Sequence, residues 1–262
     1  MKKLVNPIGV FDAGVGSLSI ANAVQEACPQ QDVIWLADRE SFPLGSKTKE
    51  ELLAISKRNI DFLVENYGVQ KIIVAANVLS VMVLPDIIKH YPKLEIHGVL
   101  PPVEKASKIG DFGILGVAGM VKDQALKDFT AQNIASTVQA QFINASPLID
   151  GYVENGAFIS LPNETLEAVS KFMDDLDPMV KVFTLSSTHL PWLLTAFQEA
   201  KPEFTFLAPA REVTGSMEFD SNGSGTILAL TTENMEEGLS IDNLNQTLKL
   251  IGQPLKVQKI TL

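Results

Sequence analysis

Hydrophobic runs of strand length alternate along this chain with amphipathic stretches of helix length. This alternation is typical of βαβ units, in which parallel strands form a sheet and helices cover its faces. The first series predicts strands at Ile8–Phe11, Val33–Ala37, Lys71–Ala75 and Ile96–Leu100, with intervening helices at Leu18–Ala27, Lys49–Tyr67 and Ser80–His90.

The same alternation begins again after Pro101 and Pro102. It predicts strands at Phe112–Ala118, Ala140–Ile143, Val180–Leu185 and Phe204–Leu207, and helices at Lys122–Ile134, Pro162–Leu176 and Leu190–Glu199. The tail adds a strand at Thr226–Leu230, a helix at Ile241–Ile251 and an edge strand within Pro254–Lys259. The pattern therefore predicts an α/β fold of two similar halves, each with a doubly wound parallel sheet.

Polar residues follow several of the predicted strands directly. They are Asp12, Asp38, Asn77 and the run Ser187-Thr188-His189. In open parallel sheets, ligands bind at the carboxyl ends of the strands. Two facing halves would bring these groups to one cleft, which is a usual place for a small-molecule site.

Composition narrows the class of ligand. The chain has 262 residues, 46% of them hydrophobic, and a net charge of −10. Because a nucleic-acid duplex requires a basic face, we expect no nucleic-acid partner. No apolar run is long enough to cross a bilayer, and the segment from Met1 to Pro7 is too short for a signal peptide, so we expect a cytoplasmic protein without a membrane partner.

Cysteine and histidine usage excludes further classes of site. The single cysteine, Cys28, cannot form an intramolecular disulfide and fits a reducing compartment. His90, His97 and His189 have no metal-ligand spacing, so no metal site is predicted.

Gly14 and Gly16 open a helix after a strand, as in dinucleotide-binding motifs, but Ser19 stands where the third glycine belongs. We expect no cofactor.

Several motifs together resemble one family. They are Gly9-Val10-Phe11-Asp12-Ala13-Gly14-Val15-Gly16, the stretch from Ala37 to Gly45, the stretch from Ile73 to Ser80, the stretch from Thr184 to Pro191, Leu230-Thr231-Thr232-Glu233-Asn234, and the closing stretch from Leu250 to Leu255. In this order and spacing they resemble the signatures of the glutamate racemases, within the aspartate/glutamate racemase superfamily.

The resemblance covers nearly the full length and implies a domain organisation. It implies two pseudo-symmetric, flavodoxin-like domains with a cleft between them. The first would comprise residues 1–100 and 212–262, and the second residues 101–211. The resemblance also implies a cofactor-independent site for a small molecule, and a homodimer is expected.

The two positions that carry cysteine in the family are Ala76 and Ser187 here. Racemisation without a cofactor needs an acid and a base on opposite faces of Cα, and a thiol with a pKa near ~8.5 can serve in either role. Ala76 has no proton to transfer, and a serine hydroxyl needs its own base. His189 is two residues from Ser187, a spacing at which side chains on a strand or helix do not meet. Two-thiol racemisation is therefore excluded.

The resemblance also implies which residues line the ligand site. Hydroxyl-bearing residues of the family are replaced by Ala13, Leu44, Val78 and Leu190, a trend that favours a less polar ligand or none. The implied ligand-binding residues are Asp12, Ala13, Pro43, Leu44, Gly45, Asn77, Val78, Asp150 and Thr188.

Asp12 and His189 are the groups with which the family tunes its thiols, so they are candidate catalytic residues. The alternative is that both only cap the helices that follow them.

The leading functional hypothesis is a glutamate-racemase-like protein that does not racemise and binds a small carboxylate or a less polar ligand. One alternative is altered chemistry, as in a one-base isomerase, lyase or decarboxylase that uses His189 or Asp12. Others are a residual role in supplying D-glutamate for peptidoglycan, and a regulatory or interaction protein.

Overall fold

Two parallel β-sheets form the framework of the molecule, for which the computed structural model describes residues 4–235 and 239–262. The strands are β1 (Ile8–Asp12), β2 (Val33–Ala37), β3 (Lys71–Val74), β4 (Glu95–Gly98), β5 (Phe112–Gly116), β6 (Ala140–Asn144), β7 (Val182–Leu185), β8 (Thr205–Leu207), β9 (Ile227–Thr231) and β10 (Gln258–Lys259).

The strand order identifies each sheet as a doubly wound one. The first sheet has six strands in the order β10-β9-β2-β1-β3-β4, and the second has four in the order β6-β5-β7-β8. All of their pairings are parallel. The predicted α/β class with two parallel sheets is thereby confirmed. Because the strands are parallel, the residues that follow them gather at one edge of each sheet.

Helices cover the sheets and connect their strands. They are α1 (Leu18–Ala27), α2 (Lys49–Tyr67), α3 (Asn77–Met82), α4 (Leu84–His90), α5 (Val103–Ser107), α6 (Ala118–Lys122), α7 (Gln124–Asn133), α8 (Ser146–Leu148), α9 (Ala157–Ser160), α10 (Pro162–Asp174), α11 (Leu194–Ala200), α12 (Ala210–Gly215) and α13 (Ile241–Leu250). Short 3-10 turns lie at Val15–Ser17, Arg39–Ser41, Leu44–Ser46 and Leu190–Leu193, and a π turn lies at Ile149–Val153.

Helices α1 and α2 have the predicted bounds, and α2 shows why. Thr48 and Glu51 form a reciprocal capping box at its start, and Gly68 ends it in the left-handed conformation. The predicted single helix Ser80–His90 is wrong, because α3 starts earlier and α4 begins anew with Pro85 in its first turn. Proline is favoured at a helix start and lacks the N–H that a continuous helix needs.

The core strands are buried on both faces, as expected for parallel sheets covered by helices. All residues of β1 and β2 are buried. Trp35 in β2 is fully buried, and its indole N–H donates to Ser17 Oγ at 2.8 Å, which satisfies the one polar atom of the ring.

The chain crosses from one sheet to the other twice. It leaves the first sheet after β4 and returns between β8 and β9, where α12 packs on α1. The division at residues 100/101 and 211/212 stays a prediction.

Across the part of the chain that the structure describes, no helix is both long and apolar enough to span a bilayer.

Candidate functional site

A cavity of about 280 Å³ lies at the carboxyl ends of strands from both sheets. The structure brings most of the predicted site residues to its wall; these residues are Asp12, Ala13, Pro43, Leu44, Gly45, Ala76, Asn77, Val78, Asp150, Ser187, Thr188 and His189. The expectation that Asp38 reaches the cleft was wrong, because its carboxylate is buried against Arg58, Asn59 and Thr232, and Leu190 does not line the cavity either. The wall also includes residues that the sequence did not indicate, namely Phe42, Ser46, Val117, Ala118, Ser146, Ile149 and Ser186.

Part of the wall is apolar. Ala13, Leu44, Ala76 and Val78 all line the cavity, and each is at least nine-tenths buried. Ala76 precedes α3 in extended conformation and presents a methyl group. These four side chains offer neither a proton nor a hydrogen bond to a ligand.

Ser187 and His189 meet, contrary to the expectation from their spacing. Ser187 Oγ lies 3.3 Å from His189 Nδ1, and the backbone N–H of His189 also donates to Ser187 Oγ at 3.3 Å. The expectation was wrong because it assumed a strand or a helix. Residues 186–189 instead form the turn between β7 and the 3-10 turn Leu190–Leu193, where side chains two residues apart can face each other.

Glu154 is the carboxylate that binds His189. Glu154 Oε1 lies 2.5 Å from His189 Nε2 and accepts the backbone N–H of Val15 at 2.9 Å. Its other oxygen, Oε2, accepts from Arg39 Nη1 at 2.8 Å. Sequence reasoning missed both Glu154 and Arg39. The available signal was weak: Glu154 comes four residues after the predicted Asp150, at the end of the π turn.

Two glycines, Gly14 and Gly16, leave space for the side chains of His189 and Glu154. A Cβ atom at Gly16 would lie 2.6 to 2.8 Å from atoms of His189, and one at Gly14 would overlap the carboxylate of Glu154. Real Cβ atoms essentially never approach so closely. Gly14 and Gly16 therefore accommodate His189 and Glu154 from the other half of the fold, which accounts for the glycine pair that superficially resembled a dinucleotide motif.

Asp12 is buried beside this group. Its carboxylate accepts the backbone N–H of Ala13 at 2.7 Å and the hydroxyl of Thr188 at 3.0 Å. Burial raises the pKa of Asp12 to about 6, although the charge of His189 and the two hydrogen bonds oppose the rise. A carboxyl group in this range can gain or lose a proton near neutral pH.

The interpretation that Asp12 and His189 serve as helix caps is wrong. Gly14 occupies the cap position of the turn Val15–Ser17, and no side chain caps that turn. His189 stands at the cap position of Leu190–Leu193, but its side chain makes no capping bond. The ring is turned toward Glu154 and Ser187 instead.

Glu154 and His189 stabilise each other's charged forms. Burial alone would raise the pKa of Glu154, but the hydrogen bond and charge of His189, together with Arg39, lower it to about 2. Burial would lower the pKa of His189, yet Glu154, followed by Asp12 and Asp150, raises it above its ordinary value. Burial likewise raises the pKa of Asp150 at the cavity wall.

Asn77 contributes a polar atom that the protein does not satisfy. Its Nδ2 donates to the carbonyl of Val99 at 2.8 Å, whereas its buried Oδ1 has no hydrogen-bond partner among the described residues. Because Asn77 lines the cavity, a ligand with a hydroxyl or amino group could supply the missing donor.

Over residues 4–235 and 239–262, no three His, Cys, Asp or Glu side chains are arranged to hold a metal ion.

In sequence, the chain is similar to glutamate racemases. It is 28% identical to that of Aquifex aeolicus over 93% of this chain and 93% of the relative. It is 30% identical to that of Acidothermus cellulolyticus over 72% of each. No protein-family model matches the chain.

The same fold occurs in solved glutamate racemases. The enzyme from Thermus thermophilus, in complex with β-chloro-D-alanine, has a TM-score of 0.79 at 24% identity and covers 98% of this chain and 97% of its own. The Escherichia coli enzyme, in complex with L-glutamate and the activator UDP-MurNAc-Ala, has a TM-score of 0.80 at 20% identity and covers 97% and 98%. At these identities, the likeness shows a shared fold.

Proposed function

Because this chain belongs to the glutamate racemase family, we propose that it is a member that does not racemise amino acids. It binds a small carboxylate, or a less polar ligand, in the cavity between the two sheets. The observation that carries this proposal is Ala76, whose methyl group lines the cavity at a position where the family resemblance implies a catalytic cysteine.

Racemisation without a cofactor needs proton-transfer groups on both faces of Cα. Here, Ser187 contacts His189, which contacts Glu154, whereas Ala76 at the other family cysteine position has no group that can transfer a proton. Since a positioned acid or base contributes about 10²–10⁴-fold, the loss of one face removes the capacity to complete the inversion.

The cavity favours a compact ligand with an apolar body. Its volume of about 280 Å³ lies just below the ~300–1,000 Å³ that is usual for ligand pockets. Ala13, Leu44 and Val78 offer no hydrogen bond to the charged groups of glutamate, and desolvating a charge against an apolar wall is costly. A hydroxyl on the ligand would instead satisfy Asn77 Oδ1.

Binding of a matched five-carbon series tests the ligand class. Glutamate, glutarate, pentanoate and 2-hydroxypentanoate differ in charge and in the presence of a donor, but little in length. We expect 2-hydroxypentanoate to bind most tightly in calorimetric titration and glutamate most weakly. The Ala13→Ser and Val78→Thr variant, which restores hydroxyls to the wall, should shift the order toward glutamate. Preference of the unaltered protein for glutamate would contradict the proposed ligand class.

Incubation with D- and L-glutamate and with D- and L-aspartate in deuterated water tests the absence of racemisation. We expect no conversion between enantiomers, with the Aquifex aeolicus glutamate racemase as the positive control. Inversion with deuterium uptake at Cα at enzyme-like rates would overturn the proposal.

A second candidate is a one-base enzyme, such as an isomerase, lyase or decarboxylase. The observation in its favour is Asp12, a buried carboxyl group with its pKa raised to about 6 and in reach of the charge of His189. For a one-base enzyme, the incubation in deuterated water should give deuterium uptake with retained configuration, or loss of the ligand's carboxylate. A supply of D-glutamate for peptidoglycan would require racemisation and is not part of the proposal.

A further inference from the structure

We propose that Ser187, His189 and Glu154 form a nucleophilic triad, in which the Ser187 hydroxyl attacks the carbonyl carbon of small apolar esters. This rests on the proposed ligand cavity, but it assigns that cavity a covalent reaction of a different class. The substrate class is an ester of a short apolar acid.

The three side chains stand in the order that activates a serine. Ser187 Oγ lies 3.3 Å from His189 Nδ1, and His189 Nε2 lies 2.5 Å from Glu154 Oε1. A nucleophile within reach of a base, with that base oriented by a third group, is the general arrangement for nucleophilic catalysis, and the first contact is often looser without substrate. It is recognised by geometry and roles rather than by sequence order.

The anchoring of Glu154 determines which nitrogen of His189 can act as the base. Arg39 and Val15 donate to Glu154, and their bonds of 2.8 and 2.9 Å hold it as a carboxylate that can only accept hydrogen bonds. In neutral His189 the proton therefore lies on Nε2, toward Glu154. The lone pair of Nδ1 then faces the hydroxyl of Ser187.

Ser187 is also placed where a substrate can reach it. It lines the cavity together with Ala76 and Val78, which are apolar and small enough to admit an acyl chain. Because position 76 is alanine, it has no thiol that could compete with Ser187 for the ester. The cavity therefore combines one activated hydroxyl with an apolar wall, which suits an ester better than an amino acid.

The chemistry balances with water as the only co-reactant. Ser187 Oγ forms a bond to the ester carbonyl carbon as its proton passes to His189 Nδ1, and the alcohol leaves with that proton when its C–O bond breaks. Water then attacks the acyl-serine ester, giving a proton to His189 Nδ1. The acid departs as the C–O bond to Ser187 breaks, and the proton returns to Ser187 Oγ.

A purely structural role for the same turn makes a different prediction. Ser187 Oγ also accepts the backbone N–H of His189 at 3.3 Å, as a turn hydroxyl does. If that were its whole role, the hydroxyl would have ordinary serine reactivity, independent of the ring of His189. Covalent trapping separates the two roles, because it requires attack by Ser187 but no turnover.

The experiment is labelling of the whole protein with diisopropyl fluorophosphate, read by intact mass and peptide mapping. We expect one adduct, on Ser187. Ser187→Ala should abolish it, whereas Ser107→Ala, at the end of helix α5 away from the cavity, should leave it unchanged. His189→Gln should slow labelling about 10²-fold or more. A thermal melt of each variant checks that it is folded.

The pH dependence of labelling also separates the two roles. If Ser187 were only structural, the labelling rate would not follow the protonation of His189. Glu154, Asp12 and Asp150 face His189, with Arg39 behind Glu154, and together the carboxylates raise the pKa of His189. Labelling should therefore accelerate as the pH rises above the ordinary histidine range and the ring becomes neutral. A second readout uses Ser187→Cys, which should show a burst of p-nitrophenol from p-nitrophenyl butyrate, because a thiol accepts an acyl group as well.

No adduct on the unaltered protein, an equal adduct on Ser187→Ala, or labelling insensitive to His189→Gln would each overturn the inference. The proposed function fails by different results, namely racemisation or a preference for glutamate over 2-hydroxypentanoate. Labelling of Ser187 alongside racemisation would overturn the proposed function and leave the triad standing.

Discussion

The guanidinium of Arg39, which follows a strand of the first sheet, bonds at 2.8 Å to the carboxylate of Glu154, which follows the π turn of the second half. Arg39 is fully buried and Glu154 nearly so. The pair therefore joins the two halves beside the cavity and fixes the carboxylate to which His189 binds.

Removal of the Arg39 charge should destabilise the protein strongly. Arg39→Met leaves Glu154 buried with His189 as its remaining cationic partner, and breaking a buried pair by removing one partner typically costs about 3–5 kcal/mol. Urea denaturation followed by circular dichroism measures the loss. The control is Lys108→Met, whose pair with Glu104 is exposed and should matter little. A loss no larger than that of the control would show that Arg39 is not a structural anchor.

The stability contribution of Asp12 should depend on pH with a definite sign. Its pKa is raised from an ordinary value of 3.8 to about 6, so the folded state holds the proton more tightly than the unfolded state. This contribution is fully present below pH 3.8 and is lost as the pH rises through about 6.

Asp12→Asn, which cannot ionise, should therefore stabilise the protein relative to the parent at pH 8 but not at pH 3.5. Since one pKa unit corresponds to about 1.4 kcal/mol, the gain at pH 8 is at most about 3 kcal/mol. Urea denaturation across this range measures the difference, and the same change at the exposed Asp128 gives the baseline. A gain that does not grow with pH would contradict the raised pKa.

Restoring both thiols should not restore racemisation. Ala76→Cys with Ser187→Cys supplies the proton-transfer groups, but the apolar Ala13, Leu44 and Val78 still cannot hold the substrate. Misplacement of a substrate by ~1 Å can cost about 10²-fold in rate. Polarimetry with D-glutamate measures the recovery.

Hydroxyls at positions 13 and 78 should be needed as well, so the effects of the four substitutions should be strongly non-additive. High activity of the two-cysteine variant alone would mean that the wall of the cavity was never altered for another ligand.

A methyl group at Gly16 should displace His189. A Cβ atom there would approach the ring and the backbone of His189 to 2.6–2.8 Å. Overpacking of this kind typically costs about 1–3 kcal/mol. Gly16→Ala should lower the urea midpoint and slow the labelling of Ser187, whereas Gly110→Ala, which meets nothing within 4 Å, should do neither. Equal behaviour of the two variants would show that the close approach is not limiting.

The periodicity of the sequence was sufficient to predict the fold. Strands such as β2 are continuous apolar runs, and the ends of α2 carry local signals in Thr48, Glu51 and Gly68. The break between α3 and α4 was missed, because the hydrophobic pattern continues through Pro85 and only the geometry shows where one helix ends.

Strand topology predicted the site residues that follow strands, whereas Pro43, Gly45 and Asp150 were predicted from the family resemblance alone. Asp12, Asn77 and Ser187 stand directly after or near strand ends, so topology alone brings them together. Glu154 follows the π turn and Arg39 opens a 3-10 turn two residues after β2, and their pairing joins positions 115 residues apart in the chain. The Ser187–His189 contact depends on the backbone path of a turn, which residue spacing does not determine.

The halves meet differently on the two sides of the cavity. On one side, Asp12 bonds to Thr188, Val15 to Glu154 and Trp192 to the carbonyl of Gly16. On the other side, Gly45 packs against Val117 and the backbone of Gly119. A motion that keeps these three hydrogen bonds would open the cavity at the contact between Gly45 and Gly119. Solvent and ligands are therefore expected to enter past Gly45, and a bulky residue at position 119 would wedge that entrance open.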